Sequence, residues 1–163
     1  MNFNNEDITK IIETYSKASD QTFVVDPGVR AKASIFISEA VDIPEAFNLL
    51  SSALAVQGFG ISKQGNTYVV QPARQTQRQY IEVTTDVPAL KPERMVTWIV
   101  TVHSLSAKNV LRDLRSLPSR DGEMALSTQS NQLIFTDWSS TINKIAEVLK
   151  QMDKRSEERR VGK

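Results

Sequence analysis

The stretch that decides the fold runs from Thr22 to Ile37 and has the sequence TFVVDPGVRAKASIFI. Its apolar start, Thr22–Val25, predicts a buried strand, and Pro27 followed by Gly28 predicts a turn. A second β-rich run, Ala33–Ser38, follows that turn. Because amphipathic helical patterns flank the stretch on both sides, the sequence predicts a small α+β unit. Nothing in this unit is typical of a catalytic loop, so we expect a scaffold for contacts.

Helical periodicity marks the segments on either side of this stretch. The helix before it is expected to be capped by Asn5 and to end near Ser19. Its buried face follows the spacing i, i+3, i+4 and i+7 and consists of Ile8, Ile11, Ile12 and Tyr15. The helix after it is expected to begin at Pro44 and to end before Gly58. A hairpin with its turn at Gly65 should follow.

A change in composition predicts the boundary between two domains. Residues 74–92 combine glutamine, threonine and proline with few apolar side chains, which is typical of a linker, and one strand is expected within them at Tyr80–Val83. The first domain is therefore placed at residues 1–73. The second domain is placed at residues 93–153, where the pattern predicts the order β-α-β-β-α.

The second domain has recognisable helix signals. Ser106 and Asp137 are the expected caps of its two helices, and Pro118 is expected to end the first of them. Trp98 and Trp138 are isolated aromatic residues in this domain, so we expect them to pack in a core or at a domain contact.

The composition is that of a folded protein. The chain has 163 residues, of which 40% are hydrophobic and 24% charged, so it can bury the core of one medium or two small domains. The absence of cysteine excludes disulfides, thiol catalysis and cysteine-based metal sites. Residues 1–7 lack the pattern of a signal peptide, so we expect an exported parent protein to be represented here without its leader.

The net charge of +1 is unevenly distributed along the chain. Residues 154–163 hold five Lys or Arg and two Glu, which leaves 15 basic and 17 acidic residues in the rest of the protein. We interpret this charged tail as a vector-derived extension, with a native charged linker as the alternative.

Two parts of the sequence resemble a known family. The run Val24–Arg30, with the sequence VVDPGVR, resembles the first periplasmic domain of bacterial type II secretion secretins. These are the outer-membrane channels of the general secretory pathway. The segments LSAKNV at Leu105–Val110 and SNQLI at Ser130–Ile134, with Met152-Asp153, resemble the KH-like repeat that follows that domain in secretins. Together the two resemblances cover roughly residues 1–153.

The resemblance implies a fold and a non-enzymatic role without cofactors. The implied fold class is α+β, with two small domains: a secretin/TonB short N-terminal-type domain and a KH-like β-α-β-β-α domain. The first domain would dock the inner-membrane type II secretion assembly component and is a candidate to meet exoproteins. The second would pack against other secretin subunits in a homo-oligomeric ring. Both domains would face the periplasm as parts of an outer-membrane protein of a Gram-negative bacterium.

Two segments of the first domain are candidate partner-binding sites. The N-terminal segment is expected to form an exposed strand edge to which a partner strand can add, although Phe3 could instead be a core anchor. The turn after the first strand is the other candidate, although Asp-Pro-Gly is also ordinary turn chemistry. The candidate residues are Asn2, Phe3, Asn4, Asp26, Arg30 and Lys32.

Other functional classes are less well supported by the residues. KH domains clamp single-stranded nucleic acid with Gly-x-x-Gly, and no two of the six glycines are three residues apart. The slightly acidic body also lacks the positive charge on which nucleic-acid affinity depends. His103 is the sole histidine, so neither a catalytic triad nor a metal site is expected. The remaining alternatives are a secretin of type IV pili or type III secretion, or the signalling domain of a TonB-dependent receptor.

Overall fold

The computed structural model describes residues 2–75, 81–103, 105–127 and 129–161. Contacts within the chain divide it into two units. The first comprises residues up to 81 with Lys91–Arg94, and the second comprises Glu82–Leu90 with the chain from Met95 onward. Each unit mixes helices with sheets, so the predicted α+β class is confirmed.

The first unit contains five strands and two helices in its described part. In chain order they are β1 (Phe3–Asp7), α1 (Ile8–Ser19), β2 (Thr22–Val25), β3 (Lys32–Ile35), α2 (Ile43–Val56), β4 (Phe59–Gln64) and β5 (Thr67–Pro72). Strands β1 and β3 pair antiparallel in one sheet. Strand β5 lies between β2, to which it is parallel, and β4, to which it is antiparallel. The two strands on either side of the Pro27 turn therefore belong to different sheets.

The core of the first unit is built on the predicted faces of both helices. Its buried apolar residues are Ile8, Ile11, Ile12, Tyr15, Val29, Leu50, Leu54 and Val70. The prediction that Thr22–Val25 is a buried strand is wrong in part, because Val24 is 54% exposed. Successive side chains of a strand point to opposite faces, and in β2 those of Thr22 and Val24 point to solvent.

The predicted N-cap of the first helix is also wrong. Asn5 lies within β1, and the residue before the helix is Asp7, whose side chain makes no capping hydrogen bond. Asn5 has a φ of 51°, and the pairing of β1 with β3 shifts register between Phe3 and Glu6. A β-bulge therefore occupies the backbone that a helical cap would have used.

The second helix and the hairpin agree with the sequence. Asp42 accepts a hydrogen bond from Glu45 N at 2.9 Å, and Pro44 lies in the first turn of α2. Gln64 and Thr67 pair across the hairpin turn, in which Gly65 has a φ of 67°.

The second unit has a four-stranded sheet in its described part. Its elements are β6 (Glu82–Thr84), β7 (Met95–Thr101), α3 (Ala107–Asp113), β8 (Glu123–Ser127), β9 (Gln132–Trp138) and α4 (Ser139–Val161). The strand order is β6-β7-β9-β8, and β7 is antiparallel to β9 and parallel to β6. Trp98 and Phe135 stack at 5.8 Å between ring centroids in the core, and Trp138 is buried, so core packing of both tryptophans is confirmed.

Neither helix of the β-α-β-β-α part is capped as predicted. The Ser106 side chain makes no capping hydrogen bond. Instead Asn131, from the turn between β8 and β9, accepts a hydrogen bond from Ala107 N at 2.8 Å. Asp137 lies in β9 and is 1% exposed. Helix α3 ends at Asp113, well before Pro118.

The predicted linker, residues 74–92, contains part of the second unit. Strand β6 was expected at Tyr80–Val83 and pairs in parallel with β7 over Glu82–Thr84, whereas residues 76–80 lie outside the described ranges. Side chains of the sheet and of α4 donate hydrogen bonds to the backbone of the segment that follows β6. Trp98 Nε1 donates to Thr85 O at 3.2 Å, Ser139 Oγ to Leu90 O at 2.9 Å, and Asn143 Nδ2 to Pro88 O at 3.0 Å. These hydrogen bonds give ordered structure to a segment that composition alone assigned to a linker.

The charged tail continues the last helix, since α4 extends to Val161. Lys, Arg and Glu, which make up most of this tail, are favourable helix formers. None of the helices within the described ranges combines the length and apolar character needed to cross a bilayer.

Limited digestion with trypsin is expected to cut first at Arg74 or Arg78, apart from the tail. Arg74 is exposed and follows β5 directly, while Arg78 lies outside the described residues. Few apolar side chains there can hold the chain against local opening. Mass spectrometry of the early fragments checks this. Resistance at both sites with early cleavage inside residues 6–62 would contradict the domain division.

Candidate functional site

The two-stranded sheet of β1 and β3 carries the first group of candidate residues. Phe3 pairs with Ile35, and Asp7 pairs with Lys32. Side chains from Lys32 to Ile37 alternate, with Lys32, Ser34 and Phe36 exposed and Ala33, Ile35 and Ile37 half-buried. Neither strand pairs with any other described strand, so each has a free edge in the described part of the chain.

Hydrogen bonds of two asparagines join the β1 side of this sheet to the β3 side. Asn2 Oδ1 accepts a hydrogen bond from Ile37 N at 2.8 Å, and Asn5 N donates to Ser34 Oγ at 2.8 Å. Peptide N–H groups alternate in direction along a strand. The β-bulge places both Asn4 and Asn5 opposite Ser34, so this alternation is interrupted at these two residues. Asn4 is exposed, as a strand-adding partner requires.

Phe3 packs inward from this sheet. It is half-buried and contacts the core of the first unit, in agreement with the core-anchor alternative. The edge and the anchor are compatible, because the backbone of β1 faces outward along the sheet while the Phe3 ring lies beneath it.

The turn residues form a second, separate group. Asp26 Oδ1 accepts from Gly28 N at 2.7 Å and Asp26 O accepts from Val29 N at 2.9 Å, so Asp26 stabilises its own turn. Arg30 and Lys32 are exposed and, with Asp26, line a shallow depression beside the start of α1. Lys32 belongs to both groups, since it also lies in β3.

An apolar groove lies next to the β1–β3 sheet and was not anticipated from the sequence. It has a volume of about 260 Å³ and is bounded by α1, α2, the inward face of the sheet and the segment 37–43. Phe3 and Ile35 line it, as do Val41 and Ile43, each of which is 39% exposed. The alternating pattern that puts Ile35 and Ile37 on the same face was a usable signal for the groove wall. The connection from β3 to α2 gave no indication that a gap would remain between the elements.

One titratable group at the groove is perturbed. Burial raises the pKa of the Tyr15 phenol, and the nearby Tyr68 adds to this. Tyr15 therefore stays neutral across the physiological range and contributes an apolar wall.

Residues with catalytic or metal-binding chemistry are not brought together. His103 lies two residues beyond β7 and is exposed. Among the described residues, no three His, Cys, Asp or Glu side chains are grouped as a metal site would need. The arrangement of the first unit is suited to protein contact.

Comparison with known proteins shows a similarity to secretins. Residues 1–70 match the model of the GspD-like N0 domain. The chain is 25% identical over 155 residues to the secretin XcpQ of Pseudomonas aeruginosa, and 28% identical over 156 residues to the putative secretin GspD of Escherichia coli K12. These matches cover 95% and 93% of this chain. Over nearly its whole length the chain is similar to secretins, and its first 70 residues are similar to the N0 domain of type II secretins.

A solved secretin structure has the same fold. The type II outer-membrane complex of Klebsiella pneumoniae, which contains PulD, PulS and the PulC HR domain, aligns with a TM-score of 0.80 at 22% identity. The alignment covers 93% of this chain and 26% of the other. The chain spans 23% and 24% of the length of the XcpQ and GspD relatives. The secretins that the chain resembles are structural channel proteins, in agreement with the expectation that it is not an enzyme.

Proposed function

We propose that the first unit of this secretin docks the inner-membrane assembly component of type II secretion through the β1–β3 sheet. The observation that carries the proposal is the free edge of a short sheet whose outward face exposes Phe36 to 70%. Unpaired N–H and C=O groups at such an edge can accept a partner strand, and an exposed aromatic residue beside it adds apolar contact.

The Klebsiella relative supports this proposal by analogy. In that complex the secretin PulD is accompanied by PulS and by the HR domain of PulC, so a secretin that shares this fold is assembled with other components of its system. We place these domains on the periplasmic side of the outer membrane, where both the channel and an inner-membrane partner can be reached.

The second unit is proposed to pack against its copies in a ring. Val83, Val87 and Leu90 expose 62%, 48% and 51% of their surface. They lie along the segment that begins with β6, an edge strand of the sheet. Clusters of exposed apolar side chains beside a sheet edge are typical of contact surfaces. Exoproteins that pass through such a ring would contact the same domains.

Substitution of Asn4 by proline tests the docking proposal. Proline removes the backbone N–H donor of Asn4 in β1, while Phe3, which would precede the proline, lies in the same strand and has the extended backbone that this position requires. We expect binding of the partner's periplasmic domain to weaken several-fold in isothermal titration calorimetry, with circular dichroism unchanged.

The matched control is Asn4→Ala, which removes the same side chain but keeps the backbone donor. It should bind as the unmodified chain does. Equal affinity of the folded proline variant would move the site away from this edge, and the Asp26–Lys32 turn would be the next candidate.

A further inference from the structure

We infer that the groove beside the β1–β3 sheet receives a large apolar side chain of the docking partner, from the same extended segment that pairs with β1. This inference rests on the proposed function and adds to it the chemistry of the partner segment.

The position of the groove connects it to the free edge. Its wall includes Phe3 and Ile35, which are paired residues of β1 and β3 and point to the same face of the sheet. A strand added along β1 would direct alternate side chains to that face, directly beside Phe3. The groove therefore lies where inward side chains of an added strand would arrive.

The size and polarity of the groove favour a protein side chain. Its volume of about 260 Å³ is below the range of roughly 300–1,000 Å³ that is usual for small-molecule sites. Its lining is apolar except for the hydroxyl groups of Thr14 and Tyr15 and the carboxylate of Glu39. Such a cleft lacks the convergent polar groups that orient a metabolite, but it can bury one or two apolar side chains.

The charge at the rim specifies the partner segment further. Glu39 is exposed, and no ion pair involves it within the described ranges. Two other carboxylates in or next to α1 already form ion pairs: Glu6 with Lys10 at 3.5 Å, and Glu13 with Lys17 at 3.0 Å. A Lys or Arg next to the apolar side chain would meet Glu39. We therefore assign to the partner an extended segment with a large apolar residue and a basic neighbour.

The test measures binding of the partner's purified periplasmic domain to variants of the whole chain. Val41→Glu places a charge in the groove, and Ala18→Trp fills the groove from an exposed position on α1. Both are expected to weaken binding at least ten-fold. Glu39→Lys should weaken it several-fold, and more strongly at low salt. The control is Val56→Glu, which adds the same charge at a residue that is 80% exposed and lies outside the groove lining, and it should bind normally.

The outcomes separate this inference from the docking proposal. If Asn4→Pro weakens binding while folded Val41→Glu and Ala18→Trp bind normally, docking at the edge stands and the groove is not used. If none of the variants changes binding, or the unmodified chain does not bind, both proposals are overturned. If the unmodified chain is a dimer that Val41→Glu dissociates, the groove is occupied by a second copy and the inference is wrong.

Discussion

Replacing Asp137 with alanine is expected to lower the free energy of unfolding of the second unit by about 3–5 kcal/mol. The carboxylate is 1% exposed and accepts hydrogen bonds from Ser119 N at 2.8 Å, Ser119 Oγ at 2.5 Å and Trp138 N at 2.8 Å. Its removal leaves these donors without their acceptor in a buried place, and each such loss costs about 1–3 kcal/mol. Both tryptophans lie in the second unit, so urea unfolding followed by tryptophan fluorescence reports on that unit.

Two further variants test whether this carboxylate is responsible. Asp113 is exposed on α3, and Asp113→Ala should change stability by less than about 0.5 kcal/mol. A Cβ atom at Gly122 would lie 2.1 Å from Asp137 Oδ2, so Gly122→Ala should also destabilise. In the double variant the clash disappears, and the combined cost should be smaller than the sum of the two. Additive costs would show that Gly122 and Asp137 do not interact.

Asn131→Ala is expected to destabilise the same unit by about 2–4 kcal/mol. The Asn131 side chain donates to Val102 O at 2.6 Å and to Leu105 O at 3.0 Å, and it accepts from the first N–H of α3. Its backbone has a φ of 51°, where alanine is strained by about 1 kcal/mol or more. The same fluorescence measurement applies.

Glycine at this position separates the two causes. Asn131→Gly loses the side-chain hydrogen bonds but tolerates the positive φ, so it should be less destabilising than alanine by about 1 kcal/mol. Asn109→Ala, at an exposed position of α3 in the same unit, serves as a control with little expected effect. If all three variants were equally stable, the assignment of Asn131 as the organiser of the α3 start would be wrong.

Periodic apolar patterns were sufficient to predict most elements of both units. Ile8, Ile11, Ile12 and Tyr15 form the buried face of α1 as their spacing indicated, and Thr22–Val25 forms a strand with those bounds. Such patterns work because burial is decided by the repeat of the element itself.

Helix caps were predicted poorly because local sequence does not show the competing partners. Asn5 is taken into a bulge by pairing with β3, which lies 29 residues further along at Ser34. Asp137 belongs to a strand and binds a loop at Ser119, while the cap of α3 comes from Asn131. Each of these contacts depends on tertiary structure, which short-range propensity cannot represent.

The candidate site was predicted only in part, because part of it also depends on tertiary structure. The strand at the N-terminus and the turn at Asp26 follow from local residue types. The groove depends on how two helices and a sheet leave space between them, and no run of residues specifies that space. Among the residues that line it, only Phe3 was predicted from the sequence as a partner-binding residue.

The parallel pairing of β2 with β5 has a kinetic consequence for the first unit. Thr22 pairs with Thr67, so β3, α2 and β4 all lie within the loop that this pairing closes. Closure of so long a loop costs conformational entropy before the contacts can repay it, and folds dominated by distant contacts form slowly. Strands β4 and β5 of the same unit, by contrast, meet across a short turn. The β4–β5 hairpin is therefore expected to form before β2 joins its sheet.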